Sequence, residues 1–400
     1  MTASDTGTAS PDDGVIWGPR LAPAERRWQH LAERLCADHF APLAAEIDSA
    51  QRYPHESVER LRASGIATMF VPAAYGGGGA SLAAYCAVVE AIAQGCASTS
   101  GIVATIQLGA APLLRIADAA RKALLLRGLV ERGEMISFAL SERNAGSDPA
   151  AMTTAAVREG AGWRIAGEKC WIGGGSVAHR YVVFAQTVPG SGKRGIAAFL
   201  VDAAADGVAD DRLEDKMGMR GTCTSTITLD TWVPDTRVLA PPGEGLRMAF
   251  GALDVGRIGV AAQSCGIALG AYRAAVAYAV ERQTFGALLI DHQALAFALA
   301  DMACRLSSAR MMTYAAASAY DAGAEASVLA AQAKLVATEA SHDIVDGALQ
   351  IMGGAGYVKP NPVERMYRDQ RVTEIYEGTS EIQRLLIARA IRAQALGTKR

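Results

Sequence analysis

Apolar residues recur at three- and four-residue spacing through Ala24–Ala44 and His55–Ala63, as in Leu31, Leu35 and Phe40, then Val58 and Leu61. That is the period of a helix with one buried face. Pro54 stands where a helix start tolerates it. The run Val71-Pro-Ala-Ala-Tyr-Gly-Gly-Gly-Gly79 breaks the pattern with a flexible loop, and helical spacing resumes over Leu82–Gln94, Gly101–Leu114 and Ala119–Glu131. Near Met135 the period changes. Thr153–Val157 and Trp163–Ala166 flank Arg158-Glu-Gly-Ala-Gly162, a hairpin signal. Arg180–Ala185, Gly195–Asp202 and Thr224–Asp230 are short runs of strand-forming residues between Gly, Pro and Asp, so a compact antiparallel β-domain is expected. Pro241-Pro242-Gly243 marks the return to helix over Leu246–Arg282, His292–Asp321, Glu325–Ile351 and Ser380–Ala395. The last opens on a capping box, Ser380 with Gln383. The pattern predicts a mainly α protein with a middle β-domain: a loose tail (1–22), a helical domain (23–134), the β-domain (135–243) and a four-helix bundle (244–400).

Composition narrows the classes. Half of the 400 residues are apolar, too many for intrinsic disorder, and the formal charge of −2 comes with no long basic run. A nucleic-acid partner is therefore not expected. The most apolar stretch, Ile258–Val280, carries Gln263, Tyr272 and Arg273 and reads as a bundle wall, so no membrane span is expected. Met1–Asp13 has neither the basic start nor the apolar core of a signal peptide. The seven cysteines are scattered and never paired as C-x-x-C, which fits a reducing cytoplasm, and the six histidines are isolated, so no metal is expected.

Three segments could carry chemistry. In Arg368-Asp-Gln-Arg-Val-Thr-Glu-Ile-Tyr-Glu-Gly-Thr-Ser-Glu-Ile-Gln-Arg384, Glu377 sits between an aromatic residue and a glycine just before a helix. A carboxylate held there in apolar surroundings has a raised pKa and serves as a general base; otherwise it is a solvated loop acid. Thr379, Ser380 and the amides that follow are a phosphate site or a plain cap. In Phe138-Ala-Leu-Ser-Glu-Arg-Asn-Ala-Gly-Ser-Asp148, Gly146 and Ser147 let backbone amides approach a flavin or phosphate, unless the segment only connects helix to strand. Trp171, beside the glycines of Gly167-Glu-Lys-Cys-Trp-Ile-Gly-Gly-Gly175, either stacks on a ring system or fills the core. In Glu281-Arg-Gln-Thr-Phe-Gly-Ala-Leu-Leu-Ile-Asp-His-Gln293, Arg282 suits a pyrophosphate and Phe285 an adenine, and the plain alternative is an interhelical loop.

In this order the segments resemble the acyl-CoA dehydrogenase family from about Ala24 to Ala395. The matching text includes Pro72-Ala-Ala-Tyr-Gly-Gly, Ser141-Glu with Ala145-Gly-Ser-Asp148, Gly167-x-Lys-x-Trp-Ile172, Asp215-Lys-Met-Gly-Met-Arg-Gly221, Leu253-Asp-x-Gly-Arg-Ile258 and Glu281-Arg-x-x-Phe-Gly286. It closes with Gln350-x-x-Gly-Gly-x-Gly-Tyr357 and Ile375-Tyr-Glu-Gly-Thr-Ser-Glu-Ile-Gln-Arg384, the most specific of the set. The resemblance implies a helical domain, a middle β-barrel and a four-helix bundle, assembled as a homotetramer or dimer. It implies FAD, with Phe138, Leu140, Ser141, Trp171, Ile172 and Gly173 about the isoalloxazine and Gly146 and Ser147 nearby. Arg282, Thr284, Phe285, His292, Gln293, Gln350, Gly353 and Gly354 match positions that hold the adenine dinucleotide, partly across an interface, and Thr379 and Glu381 match further cofactor contacts. Ser147, Asp254, Arg257 and Gly378 match positions that contact the thioester and its pantetheine arm.

Glu377 matches the usual base; some members carry it instead at the position of Gly256, so only one of the two sites is acidic here. The implied reaction is α,β-dehydrogenation of an acyl-CoA, or of an acyl or aminoacyl group on an acyl-carrier protein, with an electron-transfer flavoprotein as acceptor. A flavin monooxygenase on the same scaffold needs no such base, and a helical interaction protein needs no flavin. This sequence departs from the family pattern at Gly173 (usually Thr or Ser), at Arg143 (usually Pro) and in Ala97-Ser-Thr-Ser100, which lacks the arginine used for dicarboxylic acyl groups.

Overall fold

The computed structural model describes residues 14–398. Residues 1–13 of the expected tail lie outside the described residues, but 14–22 is not loose. Ile16 and Leu21 are buried, Trp17 packs on Tyr314, and the Trp17 amide donates to Ser307 Oγ at 3.0 Å. An apolar side chain on each side of a tryptophan is enough to dock an irregular segment.

Six helices follow: α1 (Pro23–Leu35), α2 (Ala41–Ala50), α3 (His55–Ala63), α4 (Leu82–Ala93), α5 (Ala97–Leu114) and α6 (Ala119–Arg132). The helix expected over Ala24–Ala44 is interrupted by one wide turn, Cys36–Phe40, and then runs on to Ala50. Pro42 has no N–H to give and crowds the preceding turn, so the backbone widens there. α5 begins earlier than the spacing predicts, because Cys96 caps it through its sulfur and the hydroxyls of Ser98 and Ser100 find partners on neighbouring elements. By length and composition α5 could cross a membrane, but 78% of it is buried inside the fold, as in a core helix.

Eight strands form one sheet in the order β6-β7-β3-β2-β4-β5-β8, with β1 beside β4. They are β1 (Ile136–Ala139), β2 (Ala155–Glu159), β3 (Gly162–Ile172), β4 (Arg180–Gln186), β5 (Ile196–Asp202), β6 (Val208–Leu213), β7 (Ser225–Pro234) and β8 (Val238–Ala240). Most neighbours are antiparallel as expected, but β1 joins β4 in parallel and β2 meets it through one parallel pair. One face of the sheet curls round its own core of Ile165, Val183, Phe199, Ile227 and Leu229. β4 is buried on both faces: Tyr181, Val183 and Ala185 enter that core, while Val182 and Phe184 face the helices. Strict alternation of the side chains permits this double burial, which ties the sheet to the helical layers.

The chain then returns to helix with α7 (Gly245–Ala279), a short hairpin of β9 (Gln283–Thr284) and β10 (Ala287–Leu288), α8 (Gln293–Asp321), α9 (Ser327–Met352), α10 (Gly354–Tyr357), α11 (Pro362–Arg371) and α12 (Ser380–Ala395). α7, α8 and α12 pack on α9, and α4 and α5 cover α7. α11 was not expected from the sequence. Its buried set, Val363, Met366 and Gln370, is set among charged residues. Arg368 on α11 grips Asp48 of α2 with two bonds of 2.8 and 2.6 Å, and Asp369 accepts from the Met219 amide at 2.5 Å. All three parts of the chain are thus fastened at the start of the segment that leads to Glu377.

Candidate active site

Glu377 lies in the turn between α11 and α12, at φ 56°, with Gly378 next at φ 89°. A left-handed conformation at a side chain of this size is strained, and only firm surroundings hold it. α12 supplies part of the hold: Gln383 Nε2 donates to the Gly378 carbonyl at 2.7 Å and the Glu377 carbonyl at 3.3 Å. Lys334 of α9 donates to the Gly378 carbonyl at 2.6 Å. Tyr376 donates its hydroxyl to Gln263 of α7. The expected capping box is replaced by another arrangement. Thr379 caps α12, accepting from the Ile382 amide, while Gln383 bonds the turn and the Ser380 hydroxyl is buried without a partner. Closing the strained turn takes the glutamine that the box would have used.

The Glu377 carboxyl is tucked against α7. Its Oε2 is buried with no hydrogen-bond partner, and a Cβ built on Gly256 would lie 2.5 Å from it. Gly256 is therefore the space in which the acid rests, and the two positions could not both carry side chains without one moving. Burial drives the Glu377 pKa up to about 7 against the opposing pull of Arg257 and Lys334. The glutamate as a whole is only half-buried, so part of it faces open space while Oε2 is sealed. Its amide N–H donates to nothing among the described residues. An acid poised near neutrality beside an uncommitted amide donor can take a proton from carbon while the amide steadies the negative charge that develops.

Of the residues expected to meet substrate, Asp254 and Arg257 stand together on α7, bonded at 2.6 Å, with Ser327 also donating to Asp254 at 3.0 Å. Burial raises the Asp254 pKa, opposed by that arginine and serine. Arg257 directly follows Gly256, and its charge acts on Glu377, so this pair borders the acid. Gly378 is in the acid turn itself, whereas Ser147 is exposed on the loop after β1, away from these bonds.

The residues expected about the isoalloxazine are brought together by β3. The Cys170 amide donates to the Ser141 carbonyl at 2.9 Å and Lys169 Nζ to the Leu140 carbonyl at 3.0 Å, setting the Leu140–Ser141 loop beside Trp171 and Ile172. Lys169 and Glu142 form a buried pair at 2.9 Å, and Glu142 also accepts from the amides of Thr153 and Thr154. Burial works against the Glu142 carboxylate, but Lys169 and these donors hold its pKa near 2. Trp171 sits at φ 59° and is 52% exposed, not in the core, and Phe138 packs against Phe184 with the rings tilted at 55°. Gly173 follows, and a side chain there would first meet Thr105 at 3.3 Å. A Cβ on Gly146 would meet nothing within 4 Å.

The hairpin residues form a second group. His292 Nε2 lies 3.2 Å from the Thr284 hydroxyl and 3.1 Å from its carbonyl, and Phe285, at φ 52°, is completely exposed beside His292. Arg282 and Gln293 are exposed on either side. Gln350, Gly353 and Gly354 are exposed at the end of α9, with Gly353 at φ 56°, ψ −135°, a region only glycine occupies freely. Thr379 and the exposed Glu381 open α12. No hydrogen bond or ion pair among the described residues joins the hairpin group to the Trp171 group. Among the described residues six other than glycine have positive φ, and Trp171, Phe285 and Glu377 are three of them. An open indole face beside a glycine-lined gap, with a second exposed aromatic amid arginine, glutamine and free backbone, fits a flat ring system and a dinucleotide tail.

Sequence reasoning missed Lys334, Gln263 and Gln383. A signal for Lys334 was present: it shares a face of α9 with buried Ala330, Ala337, Thr338 and Ser341, where a lysine is out of place.

The family models for the N-terminal, middle and C-terminal domains of acyl-CoA dehydrogenase match residues 22–133, 137–232 and 243–392. The human short-chain specific acyl-CoA dehydrogenase of mitochondria is 42% identical over 351 residues, 87% of this chain and 85% of that protein. Butyryl-CoA dehydrogenase from Megasphaera elsdenii is 34% identical with a TM-score of 0.91, over 94% of this chain and 100% of that one. A chain in the structure of the electron transferring flavoprotein of Acidaminococcus fermentans matches at the same identity and TM-score, over 94% and 99%. The chain belongs to the acyl-CoA dehydrogenase family and is an FAD-dependent oxidoreductase of that type.

Proposed function

We propose that the protein oxidises a short saturated acyl-CoA to the trans-2-enoyl thioester, with Glu377 removing the α-proton. The observation that carries this reading is the Glu377 carboxyl: buried, unpartnered at Oε2 and held in a strained turn beside the space left by Gly256. A thioester α-proton is far too weakly acidic for a carboxylate in water. Burial raises the proton affinity of Glu377 to about 7, and its free amide is available to the thioester carbonyl as negative charge builds. FAD, when bound, supplies the acceptor for the β-hydrogen and its electron pair. Phe138, Leu140, Ser141, Trp171, Ile172 and Gly173 would hold its ring, with Gly146 and Ser147 nearby. Arg282, Thr284, Phe285, His292 and Gln293, with Gln350, Gly353, Gly354, Thr379 and Glu381, would hold the rest. Asp254, Arg257, Ser147 and Gly378 would seat the thioester and its arm.

The separation of the hairpin group from the Trp171 group supports a cofactor shared between copies, and with it a homotetramer. The match to a chain in the structure of an electron transferring flavoprotein supports such a flavoprotein as acceptor, and the short-chain and butyryl relatives support a short acyl group. Glu377 argues against a monooxygenase, which has no need of a carbon base. The test is anaerobic bleaching of the bound flavin by a panel of CoA esters and carrier-protein-loaded acyl groups. Fast bleaching by butyryl-CoA is expected; bleaching only by carrier-loaded groups would move the substrate to a carrier protein, and bleaching by none would remove the dehydrogenase reading.

A further inference from the structure

Lys334 has no exposed surface, yet among the described residues no carboxylate lies within ion-pair distance of its ammonium. Its one hydrogen bond is to the Gly378 carbonyl at 2.6 Å. Burying an ammonium costs several kcal/mol, and a single carbonyl dipole offsets little of that. Nor does the carbonyl need the lysine, because Gln383 already donates to it at 2.7 Å. A cation that satisfies no acid directly, on a carbonyl that has another donor, calls for a reason.

The neighbouring groups supply one. The acid turn is faced by Tyr85 of α4, Arg257 of α7 and Lys334 of α9, with Tyr376 beside it, while Glu374 and Glu381 act on Lys334 from further along the turn. Tyr85 and Tyr376 stay neutral, their hydroxyl pKa values raised by burial. Arg257 is committed to Asp254 at 2.6 Å. Lys334 is the cation with no carboxylate of its own, and Glu377 is the acid that acts on it most strongly. We propose that Lys334 is a positioning residue for Glu377: seated on the Gly378 carbonyl, it holds the strained turn and provides the positive charge that keeps the Glu377 carboxylate ionised inside a dry pocket. The inference rests on Glu377 being the base. Burial pushes Lys334 down to about 8 and Glu377 up to about 7, so both are charged in the window between these values.

The test compares kcat/KM against pH for the FAD-loaded protein with butyryl-CoA, in wild type, Lys334→Met, Lys334→Gln, Lys334→Arg and Glu377→Gln. Loss of the charge makes Glu377 easier to protonate, so the acid limb in Lys334→Met should move up by about one pH unit, with activity at pH 7 down roughly fivefold. Lys334→Gln keeps a donor without charge and should show the same limb shift, whereas Lys334→Arg should return the limb towards wild type. Thermal midpoint and flavin content identify a variant that fails to fold; if Lys334→Met does, Lys334→Gln decides. A folded, flavin-loaded Lys334→Met or Lys334→Gln with the wild-type profile overturns the proposal. Turnover retained in Glu377→Gln overturns the base itself, whereas an inactive Glu377→Gln beside a wild-type Lys334 profile overturns only the role of the lysine.

Discussion

Glu377 shows how much can be asked of one side chain. The motif Tyr376-Glu-Gly378 marks it in the sequence, because an acid between an aromatic residue and a glycine just before a helix can project from a turn into a cavity. The strain it carries was not legible, since φ depends on what lies on both sides: Gln383 below, Lys334 above and the gap at Gly256. Those three come from different helices and share no local pattern. The raised pKa has a consequence for stability. Its folded value, about 7, lies above its ordinary 4.5, so the native state binds the extra proton between these limits. The stabilisation from this group is complete below the ordinary value and is lost as pH rises through the folded one. Glu377→Gln should therefore raise the thermal midpoint at pH 8, by roughly 1–3 kcal/mol of stability, and the gain should shrink by pH 5.5. An equal gain at both pH values would mean that the acid is not held protonated by burial.

At the scale of elements, the long helices were read well where one face is apolar. α3 and α12 fall at the bounds that the spacing predicts, because the period of each holds to its ends. Elements whose partners lie far off were missed. β1 pairs with β4 more than forty residues later, so its four residues have no local turn to announce them. β6 is almost wholly exposed and rich in aspartate, which gives an edge strand no apolar alternation to read. α11 hides its helical period beneath charged residues, of which Arg368 is held by Asp48 and the buried Asp369 by the Met219 amide. The loop that presents Leu140 and Ser141 is likewise set by a contact invisible in the sequence order: Lys169 and Glu142, buried together, fix it against β3. Removing either partner would strand a buried charge at a cost of about 3–5 kcal/mol, so this pair fixes the shape of the floor beneath the ring site.

For the whole molecule, the order of helices, sheet and bundle followed from the changes in period alone, and the site lies where the turn after α11 meets α7 and α9. The sequence motifs, read singly, were loops; the fold gathers them into two groups that one chain leaves apart. The homotetramer proposed above would close that gap, and Phe285 offers a direct check. A phenylalanine wholly exposed in a left-handed conformation has surface to bury on another copy or on a cofactor. Phe285→Asp should lower both flavin retention and the mass seen by light scattering. A tetramer of unchanged mass and flavin content would place that aromatic outside both roles.

The most direct test of the central claim is to mix FAD-loaded Glu377→Gln with butyryl-CoA under anaerobic conditions and follow the flavin absorbance, with deuterium uptake at the α-carbon as a parallel readout. The amide cannot take up a proton, so the yellow absorbance should persist and no deuterium should enter, although flavin and thioester still bind. Bleaching at the wild-type rate would contradict the account, because another group would then be removing the proton.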